Sequence, residues 1–259
     1  MQVGAMSNKL MKMVTALTCA AVTGFAQLAA NAADITMISG GAVEPGLHAA
    51  VSQFEKSTGH HVKITFNTAP QIQKRIESGD RFDVLIAPPA AIEAFVKNGA
   101  AESGGSNIGR VGVGVAVRSD GRAPDISSSD ALKRSLSDAD SIVFNRASTG
   151  IYLENMLKKV GVWSAIEAKV VRYPDGASVM EHLLKGKGNE FGFGAITEIV
   201  MYRDKGLKLV GPLPADVQNY TSYIAALTTS GKASAAARDL VAYLGTADAK
   251  KALSANGVE

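Results

Sequence analysis

Residues 35–47, ITMISGGAVEPGL, decide the fold that we predict for this chain. The apolar residues at the start of this stretch indicate a buried strand. Gly40-Gly41 indicates a turn, and Pro45 the first turn of a helix, where the missing N–H of proline has no partner to lose. Apolar residues at i, i+3, i+4 and i+7 continue the helix as a single stripe: Leu47, Ala50, Val51 and Phe54. Because backbone N–H groups are exposed at the positive end of a helix, the sequence predicts an anion site at this turn.

Two further strand–turn–helix units follow the first one. Residues 61–66 alternate as a strand and lead into a polar turn at residues 67–70. Residues 83–86 form a continuous apolar strand that leads into a turn at residues 87–89. Alternation of this kind predicts a parallel sheet covered by helices on both faces. Since ligands of such sheets bind at the carboxyl ends of the strands, we expect the site at these turns.

A second α/β unit begins after a long extended segment. RVGVGVAV at residues 110–117 reads as an extended apolar strand, whose glycines suit a crossing or a hinge. The alternation restarts after Pro124, with polar turns at residues 145–150 and 173–176. YTSYIAAL at residues 220–227 returns as an extended strand, and the helices after it would complete the first unit. The sequence therefore predicts an α/β fold with two lobes, each a mostly parallel sheet flanked by helices, joined by two extended hinge crossings.

Residues 1–33 have the pattern of a secretory signal peptide. Lys9 and Lys12 form a basic region, an apolar segment without acidic residues follows, and Ala30-Asn31-Ala32 fits the A-x-A cleavage pattern. We predict cleavage after Ala32 or Ala33 and a periplasmic location. The remaining chain is expected to divide into a first lobe of residues 34–112 and 221–259 and a second lobe of residues 113–220.

The single cysteine, Cys19, lies inside this leader. The exported chain would then contain no thiol and no disulfide, so its stability must come from its hydrophobic core. An alternative role for Cys19 is lipidation at Leu17-Thr18-Cys19, which fits poorly because threonine is a weak residue before a modified cysteine.

Composition and motifs argue against several classes of function. The chain has 259 residues and a formal net charge of +3, and its basic residues are dispersed among acidic ones, which gives no support for nucleic-acid binding. His60-His61 has no carboxylate or cysteine at ligand spacing, so we predict no metal and no cofactor. None of the usual nucleophile, metalloprotease or phosphate-loop motifs occurs, so we predict no enzyme. An exported hydrolase is the weaker alternative.

Several stretches resemble the periplasmic solute-binding proteins of bacterial ABC importers, and among them the molybdate-binding branch. The resemblance rests on ITMISGGAVEPGL, FEKSTGHHVKITF, RIESGDRFDVLI, STGIYLENMLKKVGVW, EFGFGAITEI and GLKLVGPLP. It implies a two-lobed type II periplasmic binding fold that acts as a monomer. It also implies a small anionic ligand, a membrane permease as partner and no chemistry at the site. The alternative within this fold is a sensor that docks on a signalling partner.

The resemblance also implies which residues bind the ligand. Molybdate-type proteins hold a tetrahedral oxyanion with two serine hydroxyls, backbone N–H groups and a tyrosine hydroxyl. The matching side-chain positions here are Ala42, with Ser39 nearby, Ala69 or Pro70, with Thr68 nearby, and Ala195. The full set of expected ligand-binding residues is Ser39, Gly40, Gly41, Ala42, Thr68, Ala69, Ser148, Thr149, Gly150, Ala177 and Ala195.

Three side-chain donors of that oxyanion site are therefore absent at the matching positions. Each lost hydrogen bond to a charged group costs roughly 1.5–3 kcal/mol, so their loss argues against molybdate itself. Ala195 leaves space that a larger organic anion could use. The expected ligand is a molybdate-like oxyanion or an organic anion, held mainly by backbone N–H groups.

Overall fold

The computed structural model describes residues 32–259, so the predicted signal peptide, apart from its last two residues, and Cys19 lie outside the described residues. Within this range the strands are β1 (Asp34–Gly40), β2 (His61–Asn67), β3 (Val84–Ala87), β4 (Ser106–Arg118), β5 (Ser141–Asn145), β6 (Val170–Tyr173), β7 (Glu190–Ala195), β8 (Leu207–Pro212) and β9 (Tyr220–Leu227). The α-helices are α1 (Glu44–Thr58), α2 (Ala69–Glu77), α3 (Pro89–Lys97), α4 (Ser129–Ser137), α5 (Ser148–Lys159), α6 (Trp163–Ile166), α7 (Gly176–Lys185), α8 (Ile196–Met201), α9 (Ala235–Leu244) and α10 (Ala247–Ser254).

The opening unit has the predicted strand and helix, with one addition. A single 3-10 turn, Gly41–Val43, separates β1 from α1, and Pro45 lies in the first turn of α1. The predicted stripe of α1 is buried, and Gly59 ends the helix in the left-handed conformation that glycine adopts most easily. The opening turn therefore holds two consecutive helical starts at the carboxyl end of β1.

The strands form one sheet in the order β2-β1-β3-β9-β4-β7-β5-β6, with β8 paired to β4 outside this path. Strand β1 runs parallel to β2 and β3, and β5 runs parallel to β6 and β7. The pairs that involve β4 or β9 are antiparallel. The parallel units are thus the predicted βα repeats, and the long crossing strands join them.

Strand β4 connects the two halves of the sheet because it changes partners along its length. Its residues 106–112 pair with β9, whereas residues 113–118 pair with β7 and β8. We call β1, β2, β3 and β9 the first half of the sheet, and β5, β6, β7 and β8 the second half. The predicted crossing and return segments are therefore present, and the lobe boundaries that we drew from the sequence stay a prediction.

Helices cover both faces of each half. In the first half, one apolar cluster includes residues of β1, α1, α9 and α10, and another cluster lies beneath α2 and α3. In the second half, one cluster lies against α4 and α5 and the other against α7 and α8. The last two helices thus pack onto the first half. Across residues 32–259, every helix is too short or too polar to span a lipid bilayer.

Candidate functional site

The amino end of α5 is organised by a buried asparagine. Asn145, at the end of β5, is 5% exposed, and its side-chain oxygen accepts the N–H groups of Ala147 at 3.0 Å and Gly150 at 3.1 Å. A Cβ at Gly150 would lie 1.7 Å from the Asn145 carbonyl oxygen, so glycine is required there. The N–H groups of Ser148 and Thr149 belong to the first helical turn, where the helix itself offers no acceptor. This turn can therefore donate to an anion.

The amino end of α2 is closed by a capping box. The Thr68 hydroxyl accepts the N–H of Gln71, and the Gln71 side chain accepts the N–H of Thr68 at 2.8 Å. Pro70 has no N–H, so Ala69 supplies the remaining donor of this turn. The Gln71 amide nitrogen also lies 3.5 Å from a carboxylate oxygen of Asp175, which belongs to the second half of the molecule. The second predicted turn thus faces the turn before α7.

A cavity of about 720 Å³ lies between α2 and α3 on one side and α5 on the other. Most of the residues that line it are apolar or small, and they include Pro70, Pro88, Phe95 and Ile151. Ala69 and Ser148, which begin α2 and α5, also line it. Binding sites for small molecules have volumes of about 300–1,000 Å³ and a similar mixture of apolar walls and few polar groups. The cavity is therefore large enough for an organic ligand.

A second group of residues surrounds the carboxylate of Glu198 in α8. A Cβ at Gly41 would lie 3.2 Å from one Glu198 carboxylate oxygen, and a Cβ at Gly176 would lie 2.1 Å from the other. The backbone N–H of Ala195 donates to the same carboxylate. The Glu198 carboxylate thus lies between the amino end of α7 and the turn before α1, which are both positive helix ends. Averaged over all its atoms, Glu198 is partly exposed to solvent.

The pKa of Glu198 is raised to about 7, and burial is the main cause. The hydrogen bond from the Ala195 N–H acts in the opposite direction, while the negative charges of Asp175 and Glu44 raise the pKa further. Near neutral pH the Glu198 carboxyl group is therefore divided between its charged and neutral forms.

Tyr223 of β9 completes this group, which we call the Glu198 cluster (Gly41, Gly176, Ala195, Glu198 and Tyr223). A Cβ at Gly40 would lie 2.8 Å from the ring of Tyr223, so the glycine makes room for the aromatic side chain. Burial and the charge of Glu198 raise the pKa of the Tyr223 phenol. The phenol is therefore neutral and keeps its O–H as a donor.

The expected ligand-binding residues are brought together in two groups. Ala69 and Ser148 line the cavity, Thr68 directly precedes Ala69, and Thr149 and Gly150 follow Ser148 in the same turn. The other group lies at or beside the Glu198 cluster: Ser39, Gly40, Gly41, Ala42, Ala177 and Ala195. The Gln71–Asp175 contact links the two groups, since α2 lines the cavity and Asp175 precedes Gly176.

Several of these residues already have partners within the chain. The Ser39 hydroxyl is fully buried and donates to the Gly40 carbonyl at 3.1 Å. The Ala42 carbonyl accepts the Thr197 hydroxyl at 2.5 Å, and the Thr68 hydroxyl serves in the capping box. Ligand contact at these positions stays a prediction, and it now rests on backbone N–H groups.

Sequence reasoning missed Glu198 and Tyr223. Glu198 follows Ala195 by three residues, the spacing at which a glutamate reaches back to the N–H of a helix cap, so a signal was present. Tyr223 lies within an apolar strand, where a tyrosine gives no signal of a binding role. Residues 32–259 contain no group of three or more His, Cys, Asp or Glu side chains that could hold a metal ion.

Residues 35–259 match the family model of the bacterial extracellular solute-binding proteins. An aconitate isomerase from a Pseudomonas species is 27% identical over 234 residues, which span 87% of each chain. The molybdate-binding protein ModA of Azotobacter vinelandii is 29% identical over 259 residues, covering 97% of this chain and 98% of the relative.

A solved structure, the sulfate-binding protein SubI of Mycobacterium tuberculosis H37Rv, superposes with a TM-score of 0.73 at 17% identity. The superposition covers 87% of this chain and 86% of that chain. At this level of identity the superposition supports the fold alone.

Proposed function

The chain belongs to the bacterial extracellular solute-binding proteins, and we propose that it captures a small organic anion for delivery to the membrane permease of an ABC importer. In this proposal the protein is exported to the periplasm, loses its signal peptide and acts as a monomer. The ligand lies between the two halves, which close on it by a hinge motion along the crossing strands. No chemical step is part of the proposal.

The observation that carries the proposal is the cavity of about 720 Å³ beside the amino ends of α2 and α5. The N–H groups of these helix starts would hold the negative group of the ligand, and the largely apolar wall would contact its carbon skeleton. A tetrahedral oxyanion would fill only a small part of this volume. The hydroxyls of Ser39 and Thr68 are also engaged within the chain, which favours an organic anion over molybdate or sulfate.

Titration calorimetry of the purified protein tests the ligand class. The panel contains citrate, cis-aconitate, trans-aconitate, inorganic sulfate and molybdate, with glucose as a neutral control. We expect at least one of the organic anions to bind more tightly than sulfate and molybdate. Tight binding of molybdate would overturn the preference for an organic anion, and binding of glucose alone would overturn the anion site.

A second candidate function is the isomerisation of aconitate. The specific observation that favours this function is Glu198. The relative named aconitate isomerase supplies the reaction, and Glu198 supplies a carboxyl group whose pKa burial raises to about 7. A group with a pKa near the working pH suits both proton removal and proton return. Interconversion of the two isomers by an allylic shift would need both steps, because a methylene proton leaves and a proton returns to the other end of the allyl system.

Proton NMR of cis-aconitate incubated with the protein in D₂O separates the two functions. Isomerisation by this route would produce trans-aconitate with deuterium at carbon, and Glu198→Gln would abolish both changes. If aconitate binds but keeps its protons and its geometry, the protein binds the anion without chemistry and the second candidate is excluded.

A further inference from the structure

We propose that Glu198 controls access of anions to the site, because its carboxyl group takes up one proton when an anion enters beside it. This inference rests on the proposed function, because it gives a role in anion capture to the Glu198 cluster, which the Gln71–Asp175 contact links to the cavity. It adds a specificity-determining residue and a linked proton to the capture of the anion.

The Glu198 carboxylate lies against two helix starts. Its oxygens lie where a Cβ at Gly41 or Gly176 would come within 3.2 and 2.1 Å, so a side chain at position 41 would crowd the carboxylate and one at position 176 would displace it. It also accepts the N–H of Ala195. The Glu198 carboxylate therefore already faces the backbone N–H groups that would attract an external anion.

The charges around Glu198 are negative. Glu44 from α1 and Asp175 from the turn before α7 act on it with the same sign. The remaining titratable groups that face it are the phenols of Tyr223 on β9 and Tyr202 at the end of α8, whose own pKa values are raised by burial. In the described part of the chain, no basic side chain contributes to the electrostatics of Glu198. An anion that enters the Glu198 cluster is repelled by the carboxylates around it. Protonation of Glu198 removes one of these negative charges and so reduces the repulsion.

Proton uptake changes what Glu198 offers to the ligand. The charged carboxylate only accepts hydrogen bonds, whereas the neutral carboxyl group donates one O–H. The proton comes from solvent, stays on Glu198 while the anion is bound and returns to solvent on release, so no bond of the ligand is broken. The ordinary structural role of Glu198, as the residue that caps the Ala195 N–H, is compatible with this cycle but predicts no coupling to anion binding.

The test is titration calorimetry with inorganic sulfate and citrate at pH 5.5 and pH 8.5. Sulfate keeps its charge across this range, so its pH dependence reports the protein alone. For citrate, the ratio of wild-type to Glu198→Gln affinity removes the titration of citrate itself. Binding at pH 7.5 in two buffers of different ionisation enthalpy counts the protons that are taken up.

We expect the wild type to bind sulfate, and citrate after its correction, about thirtyfold more weakly at pH 8.5 than at pH 5.5. The reason is that each pH unit above the pKa of Glu198 lowers the affinity about tenfold. Glu198→Gln, a neutral side chain of the same size, should bind equally at both pH values. The matched control Glu44→Gln removes a neighbouring carboxylate and should keep the pH dependence.

Affinity of the wild type that does not change with pH, without proton uptake at pH 7.5, overturns the inference and leaves the proposed function standing. The same pH dependence in Glu198→Gln also overturns it. If neither anion binds the wild type or Glu198→Gln at pH 5.5, the proposed function fails for both anion types, and the inference fails with it.

Discussion

At the residue scale, several distant parts of the chain meet at the carboxylate of Glu198. The carboxylate lies beside Gly41 from the first half and Gly176 from the second, and it is bonded to the Ala195 N–H. Burial raises its pKa to about 7, so its charge changes in the pH range in which the protein would work. The stability of the free protein and the packing of the cluster both test this arrangement.

The stability of the ligand-free protein should fall as pH rises through the titration of Glu198. The pKa is about 4.3 in an unfolded chain and about 7 in the folded protein, so between these values the folded state binds more protons than the unfolded state. The unfolding free energy should therefore decrease by about 4 kcal/mol across this window. Urea unfolding at a series of pH values measures the change. Glu198→Gln should show a much smaller change, and identical pH profiles for the two proteins would contradict the assignment.

Gly176→Ala tests the packing of the same carboxylate. The new Cβ would lie 2.1 Å from a Glu198 oxygen, so we expect a loss of about 1–3 kcal/mol in unfolding free energy. The milder Gly41→Ala, with a Cβ 3.2 Å from the other oxygen, should cost less. In a Glu198→Ala background most of the Gly176→Ala cost should disappear. A cost that is the same in both backgrounds would show that the clash lies elsewhere.

At the scale of elements, the helix starts of α2 and α5 carry the anion-binding hypothesis. Both follow a parallel strand, and both open onto the cavity, through Ala69 and Ser148. Asn145 fixes the α5 turn by accepting two N–H groups, which leaves those of Ser148 and Thr149 for a ligand. The hypothesis concerns backbone donors, so a test must remove an N–H without removing the helix.

Ser148→Pro meets this requirement. Ser148 is the first residue of α5, where proline is favoured, and Ala147 before it has an extended backbone with ψ of −167°, which proline tolerates. We expect Ser148→Pro to weaken citrate binding by about tenfold or more, because a hydrogen bond to a charged group contributes roughly 1.5–3 kcal/mol. Ser148→Ala keeps the N–H and serves as the matched control in titration calorimetry. Equal citrate affinity of the two variants would place the anion away from α5.

At the scale of the whole molecule, local patterns predicted the fold well. Hydrophobic periodicity and turn residues are properties of neighbouring positions, so the βα units, the long strand at RVGVGVAV and the return strand at YTSYIAAL could all be predicted. The Glu198 cluster could not be predicted in the same way. Its members Gly41, Gly176 and Glu198 are separated in the sequence, and Gly41 meets the other two only when the two halves fold together. Which side chain comes to face the helix ends depends on that long-range packing.

The most direct test of the central claim, capture of an anion between the two halves, is a thermal-shift comparison of the wild type with Ser148→Pro. Citrate, inorganic sulfate, molybdate and glucose are each added in excess. An anion at a hundred times its dissociation constant stabilises the folded protein by about 2.7 kcal/mol. We predict that citrate raises the melting temperature of the wild type at pH 5.5 and has a clearly smaller effect on Ser148→Pro. Stabilisation by glucose alone, or an equal shift of both proteins with citrate, would contradict the account.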